Sequence, residues 1–328
     1  MAKSGSKIVN RPQNLDEAVE QIEGKELKAS VNAVRSAGKK LLENESSEAE
    51  VIETKDDEFV GHHAIVTKED IISQDLILGM LHKDFPEAHF ITEEKAGEDA
   101  DPEVTGRILS RENYSQHLDG LVFGIDPIDG SSQRANGGAE WSISVGAMEN
   151  GEHIGGAIFA PDIKGGQLVF GEKGKGVWVS EYGKPPVKVE ISKNEDRDLL
   201  IYTGVDVCLD PKFNRFVNEV ANDKRTRTVK SDGSCPQGLI MVALERVDAF
   251  IQPTQRVWDW FGALPLVEES GGKVQFYRFE GGEIVPVDKP ERADYDPESR
   301  NLGFVAGRPQ VVDRLFSQLR EQYGKQQN

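Results

Sequence analysis

The segment Asp126-Pro127-Ile128-Asp129-Gly130-Ser131-Ser132 limits what this 328-residue chain can fold into more than any other. It follows directly on an apolar run at 121–125 that reads as a buried strand. A strand end fixes where the next side chains point, because the sheet behind it is rigid. Two carboxylates three residues apart across a proline-constrained turn can face one another around a hard cation. Magnesium suits such oxygen ligands, since it keeps several waters and shares its other positions with phosphate. Gly130 lets the backbone approach closely, and the Ser131 and Ser132 amides can open a helix that faces an anion. The same letters also make a plain turn, with Asp126 as its cap and Asp129-Gly130 at its corner.

Three further acids bear on that choice. Asp259, between Trp258 and Trp260, stands before a predicted helix at 260–270, where an aspartate is by default an N-cap. Glu93 ends a predicted strand at 88–92. Asp70 opens a predicted helix at 69–84. Several carboxylates in one place repel one another and take up protons unless cations join them. The chain has 57 acidic against 39 basic residues, a net charge of −18, which argues against nucleic acid as a partner. It also means that any chemistry on an anion here must recruit positive charge from outside the chain.

The rest of the sequence sets the frame. A helix is predicted at 26–44, with Leu27, Val31, Val34, Gly38 and Leu41 on one face. The acid-rich stretch 43–58 reads as an exposed loop, and 94–113 as an acidic surface excursion of unassigned role. Short strands at 141–147, 154–160, 167–170 and 177–179 suggest an antiparallel meander. A polar boundary near 192–197 divides an N-terminal portion, 1–192, from a C-terminal α/β portion, 193–328. In the latter, strands at 199–203, 247–251 and 302–306 alternate with helices at 211–222, 235–246, 260–270 and 309–323. No apolar stretch approaches a membrane span, and the first residues lack a secretory signal. Cys208 and Cys235 read as reduced thiols of a cytoplasmic protein. The adjacent His62 and His63 read as exposed loop residues.

In order and character these pieces resemble the inositol monophosphatase superfamily of lithium-sensitive, metal-dependent phosphatases, which includes fructose-1,6-bisphosphatases and bisphosphate nucleotidases. One signature is the aspartate-proline segment, 126–131. The other is the long run from Trp258-Asp259 to Glu268-Glu269-Ser270-Gly271-Gly272. The likeness covers about 26–307. It implies a layered αβαβα sandwich of the sugar-phosphatase type and hydrolysis of a small phosphomonoester. Inositol phosphate is the reference substrate; histidinol phosphate, a sugar phosphate and an adenosine bisphosphate stay open, as does a non-catalytic ligand-binding role. It implies magnesium, two ions or three. One would lie on Glu93, Asp126 and the Ile128 carbonyl, a second on Asp126, Asp129 and Asp259, and a third would lean on Asp70 through water. Ser131 with Glu93 would orient the attacking water, and phosphate would sit on the Gly130 and Ser131 amides. The implied partner is a small phosphate ester, with no membrane and with a homodimer as the assembly.

Two positions depart from the pattern. Where inositol-specific members carry a glutamate that accepts substrate hydroxyls, this chain has Gln252. In the segment lining the alcohol pocket, Gly233-Ser234-Cys235-Pro236, Cys235 stands where alanine is usual, and it reads as pocket wall, not nucleophile. Arg134, Lys230 and Arg256 flank the expected pocket in sequence. They suggest a substrate with a second anionic group.

Overall fold

The computed structural model describes residues 14–43, 51–56, 63–97, 100–192, 198–208 and 210–324. Helices α1 (Leu15–Glu20) and α2 (Lys25–Glu43) come first. A two-stranded ribbon, β1 (Val51–Asp56) and β2 (His63–Thr67), leads into α3 (Lys68–Asp84) and β3 (His89–Thr92). The short helices α4 (Pro102–Thr105) and α5 (Tyr114–His117) precede β4 (Leu121–Asp129) and α6 (Ser131–Ala135). The meander follows as β5 (Ser142–Glu149), β6 (Glu152–Ala160), β7 (Gln167–Glu172), β8 (Gly176–Glu181) and β9 (Val187–Val189). The second half holds β10 (Leu199–Gly204), α7 (Pro211–Ala221), β11 (Thr226–Asp232), α8 (Cys235–Ala243) and β12 (Ala249–Gln255). It closes with α9 (Val257–Phe261), α10 (Leu264–Glu269), β13 (Lys273–Glu280), β14 (Glu283–Val287), β15 (Leu302–Gly307) and α11 (Pro309–Gly324).

These elements stack in five layers, as the resemblance implies. The first sheet runs β3-β4-β5-β6-β7-β8-β9, antiparallel except for the β3–β4 pair. The second runs β11-β10-β12-β15-β13-β14, parallel across its first three strands, where helices α7 and α8 make the crossovers. Helices α2 and α3 cover the outer face of the first sheet, packing Val31, Val34, Ala37 and Ile77 on Phe123, Ile143 and Val145. Helices α8, α9 and α10 fill the space between the sheets through Leu239, Ile240, Trp260, Phe261 and Leu266. Helices α7 and α11 close the far side with Phe213, Phe216, Leu315 and Leu319. The boundary expected after residue 192 falls on 193–197, outside the described residues.

One contact in the middle layer decides where the site forms. Gly124, Gly146, Gly156 and Gly171 are paired in register across four neighbouring strands, a row without side chains. A β-carbon on Gly124 would meet the Phe261 ring at 2.3 Å, and one on Gly156 would meet the Gly262 carbonyl oxygen at 2.1 Å. Helix α9 and the Gly262 turn therefore lie with backbone almost against the sheet. No other residue type permits that approach.

Several expected elements need correction. The stretch read as loop at 43–58 contains β1; its Val51 and Ile52 are half exposed, so its described side chains give no alternating pattern. The acidic excursion returns to the sheet, where Phe90 and Leu109 exchange backbone contact and Leu109 is buried. The helix expected at 260–270 is two short helices broken at Gly262-Ala263, with Pro265 in the first turn of the second. Strands β11, β13 and β14 had no counterpart in the sequence reading. The β13–β14 hairpin was signalled by Val274 and Phe276 in alternation and by Gly281-Gly282, both at positive φ, at its turn. His62 lies outside the described residues, and so do the side chains of Lys55, His63 and Cys208.

Candidate active site

The end of β4 delivers the first acids. Pairing with β5 runs from Asp126 opposite Ser144 to Asp129 opposite Ser142, with a register shift between them. The residues Pro127 and Ile128 are thus an irregularity in a strand and not a free turn, and Ser73 on α3 donates to the Pro127 carbonyl at 2.8 Å. Gly130 then adopts the left-handed conformation at φ 92°, where a β-carbon would lie 2.6 Å from the Glu140 carbonyl oxygen. Helix α6 starts after it.

Asp259 reaches the same place from the middle layer. It is the third residue of α9, not its cap, and its carboxylate accepts the Arg256 amide at 3.1 Å. One carboxylate oxygen from each of Asp126, Asp129 and Asp259 can lie within 4.8 Å of the others, and all three residues are buried. Asp129 also accepts the Cys235 amide at the start of α8, at 3.0 Å. Among the described residues no donor reaches either oxygen of Asp126. Burial pushes the Asp126 carboxyl well above its usual range, and the charges of Glu93, Asp129 and Asp259 push it further. Burial and then Asp259 do the same to Asp129. Asp259 is raised to about 7 by burial, against the pull of Arg300 and the Arg256 amide.

Glu93 lines the same cavity, held by its neighbour: Gln74 of α3 clamps Glu94 by donating to its carbonyl at 2.7 Å and accepting its amide at 3.0 Å. Ser131 hydrogen-bonds to Asp70 at 2.6 Å and to the Ile128 carbonyl at 2.8 Å. Asp70 in turn accepts the Thr67 amide at 2.7 Å and the Thr67 hydroxyl. Burial raises the Asp70 carboxyl, while Ser131 and Thr67 oppose the shift. Asp70, which the resemblance places near a third ion, is thus the side-chain partner of the Ser131 hydroxyl.

The cavity measures about 210 Å³ and joins Glu93, Asp126, Ile128, Asp129, Gly130, Ser131 and Asp259 to Gly233, Cys235 and Gln252. The Cys235 thiol is buried and raised well above 9.0, by desolvation first and then by the surrounding aspartates, which fits a wall and not a nucleophile. Sequence reasoning missed Asp206, Asp232 and Gln255, which also line the cavity. Asp206 and Asp232 each follow the carboxyl end of a parallel strand, the usual place for ligand contacts in such sheets, and that was the signal available. Among the described residues the lining contains no lysine or arginine. Lys230 pairs with Glu140, Arg134 packs over Trp141, and Arg256 donates to the Glu298 carbonyl, so the three cations singled out from sequence do not line the cavity, although their charges act on Asp232, Asp70 and Asp259.

A cluster so arranged has a thermodynamic signature. Carboxyls whose folded pKa exceeds the unfolded value support the fold at acid pH and lose that support as pH rises through the folded value. For Asp259 the loss begins above the ordinary carboxylate value of 3.8 and is complete as pH passes about 7. Chelator-treated protein should therefore melt lower at about pH 8 than at about pH 5, and magnesium should raise Tm more at the higher pH. An equal magnesium gain at both would exclude these acids as its site.

Two mixed sheets among three helical layers, with a buried carboxylate cluster where the layers meet, define the class: an α+β layered protein with three buried acids that could hold a cation. The family model described as Inositol monophosphatase family matches residues 24–315, and the chain belongs to that family. The Inositol-1-monophosphatase of Bacillus subtilis is 26% identical over 285 residues, 87% of this chain and 92% of its own. The Fructose-1,6-bisphosphatase/inositol-1-monophosphatase of Thermotoga maritima is 28% identical, over 65% of this chain and 72% of its own. The solved structure of a Thermotoga maritima IMPase superposes with a TM-score of 0.63 at 23% identity, over 90% of this chain and 96% of that one, and shares the fold. Other matches carry the names Histidinol-phosphatase and Nus factor SuhB.

Proposed function

We propose that this chain is a magnesium-dependent hydrolase of a small phosphomonoester, in the manner of an inositol monophosphatase. The observation that carries the reading is Asp126: two buried carboxylate oxygens without a donor among the described residues, beside two more buried carboxylates. Such an arrangement is costly as it stands and is resolved by cations. Glu93, Asp126 and the Ile128 carbonyl would hold one ion, and Asp126, Asp129 and Asp259 a second. Asp70 already accepts three hydrogen bonds, which leaves it little capacity for a third. Bound magnesium would neutralise the phosphate dianion, lower the pKa of the attacking water and stabilise the leaving alkoxide.

The chain's own groups do the rest. The Gly130 and Ser131 amides bind a phosphate oxygen at the start of α6. Ser131 has one hydroxyl proton, and Asp70 and the Ile128 carbonyl compete for it. Its oxygen lone pairs therefore face the cavity as acceptors and can orient a water, with Glu93 as the second acceptor. Ser131→Ala should lower kcat by about 10²-fold with little change in KM, the scale of a lost positioning contact. Single-turnover phosphate release on both proteins checks it, and an unchanged kcat would remove Ser131 from the mechanism.

Lithium sensitivity and a cytoplasmic location belong to the same reading. A non-catalytic role has support in the matches named Nus factor SuhB, but Glu93, Asp126, Asp129, Ser131 and Asp259 are all present and converge on one cavity. A phosphate-release screen with magnesium, across inositol phosphates, histidinol phosphate, sugar phosphates and adenosine bisphosphates, tests the reading. Release from none of them would overturn it.

A further inference from the structure

Strand β5 sets a serine opposite each acid of β4: Ser144 across from Asp126, and Ser142 across from Asp129. Asp126 and Ser144 close the regular part of the pairing. Directly opposed residues of an antiparallel pair share one face of the sheet, with β-carbons about 5 Å apart. That face is the one turned to the middle layer. The pairs Val122–Met148 and Gly124–Gly146 precede Asp126–Ser144 on it, and Val122 and Met148 belong to the core between the sheets. The two serines are engaged differently. Ser142 pairs with the Ser234 hydroxyl at 3.1 Å. Ser144 is fully buried, and among the described residues its hydroxyl has no partner. The row it belongs to continues through Ile158 on β6 and Val169 on β7, both fully buried and apolar. On its other flank lies the glycine row, and the Gly262 turn closes over the hydroxyl, so that a β-carbon there would lie 2.7 Å from Ser144 Oγ.

A buried hydroxyl without a partner costs free energy that alanine in the same row would not. Asp126 has the complementary defect. Asp129 accepts the Cys235 amide and Asp259 the Arg256 amide, but among the described residues no donor reaches Asp126. An unpartnered donor therefore faces an unpartnered acceptor across one register pair. We infer that Ser144 is a positioning residue for the cation site: in the cation-loaded protein its hydroxyl donates to Asp126 and fixes the orientation of that carboxylate. The inference rests on the magnesium reading above. Each carboxylate oxygen has two lone pairs, so one can face an ion while the other accepts a hydrogen bond. The serine hydroxyl needs only to turn about its Cα–Cβ bond from one staggered position to another. Ser144 touches neither substrate nor attacking water in this assignment; it acts through Asp126.

The test is a magnesium titration of the full-length protein, freed of metal by chelation and dialysis and read as Tm. Ser144→Ala should melt no lower than wild type without metal, because it deletes an unpartnered hydroxyl. It should need about tenfold more magnesium to reach half of its Tm gain, the scale of a lost hydrogen bond behind a metal ligand. A merely structural serine gives the reverse, a lower Tm without metal and an unmoved magnesium midpoint. Ser144→Cys separates volume from hydrogen bonding, since a thiol fills the place of the hydroxyl but is a weak donor. Its midpoint should rise as well, and it carries the titration if Ser144→Ala fails to fold. A midpoint unchanged in the folded variants, or one that Ser144→Cys returns to the wild-type value, overturns the inference and leaves the magnesium reading standing. Failure of both variants to fold makes Ser144 a structural residue and overturns it too. A wild-type protein that gains no Tm from magnesium fails the reading itself and takes the inference with it.

Discussion

Replacing Asp129 with asparagine should lower phosphate release by about 10³-fold or more while the protein stays folded. The amide is nearly the same size as the carboxyl, and its oxygen can still accept the Cys235 amide that Asp129 accepts at 3.0 Å. What disappears is one negative charge from a set of three buried acids. Two consequences follow in opposite directions. Cation affinity drops, and with it turnover. The metal-free fold gains, because Asp126 and Asp259 lose a repelling neighbour, so Asp129→Asn should melt no lower than wild type in chelator and should gain less Tm from magnesium. Near-native turnover in this variant would dismiss the proposed site. A large loss of Tm in chelator would mean that Asp129 holds the fold and not an ion.

Chelation should abolish turnover outright, and magnesium should restore it without refolding. The proposed ligands come from two layers that pack independently of any ion: β4 and the Glu93 loop clamped by Gln74 on the first sheet, and α9 seated on glycines in the middle layer. Removing cations leaves that scaffold in place and adds only mutual repulsion, part of which protonation relieves. Recovery should therefore be complete within mixing time. Full turnover in metal-free buffer would rule out the magnesium-dependent reaction. Activity that returned only after unfolding and refolding would show that the ions build the cavity and do not merely occupy it.

The layered fold class was legible in the sequence, and so were the elements that carry the three clustered acids. Asp126, Asp129 and Asp259 belong to short motifs whose spacing is tied to one local backbone path, so each could be placed on its element before the elements were assembled. Ser131 with Asp70, by contrast, joins residues 61 apart in sequence, and nothing local to either announces the bond. Asp206 carried no sequence signal of its own, because two of its donors, Gln255 and Arg300, lie 49 and 94 residues further on. The strands that escaped notice share a physical reason. β11 is an edge strand with exposed side chains, and β1 belongs to a ribbon away from the core, so the described side chains of neither show the buried face that writes alternation into a sequence. Helices α9 and α10 read as one because Gly262-Ala263 interrupts them without the usual capping residues.

The glycine row makes the cavity a gauge of layer spacing. Gly124 lies two residues before Asp126 on β4, and Phe261, which rests on Gly124, lies two residues after Asp259 on α9. The gap between acids of different layers is thus set by the Gly262 backbone on Gly146 and Gly156 and by the rigid Phe261 ring on Gly124, with no flexible side chain between to bend and absorb an error. A single methyl at Gly156 would lift α9 and spread the acids by a distance comparable to the tolerance of a magnesium coordination shell. Heat acts in the same sense. Any loosening between sheet and helix layer spoils the geometry at once, while each sheet still keeps its own hydrogen bonds. Inactivation should then precede melting, and bound cations, by tying the two layers together, should close the interval between the two temperatures.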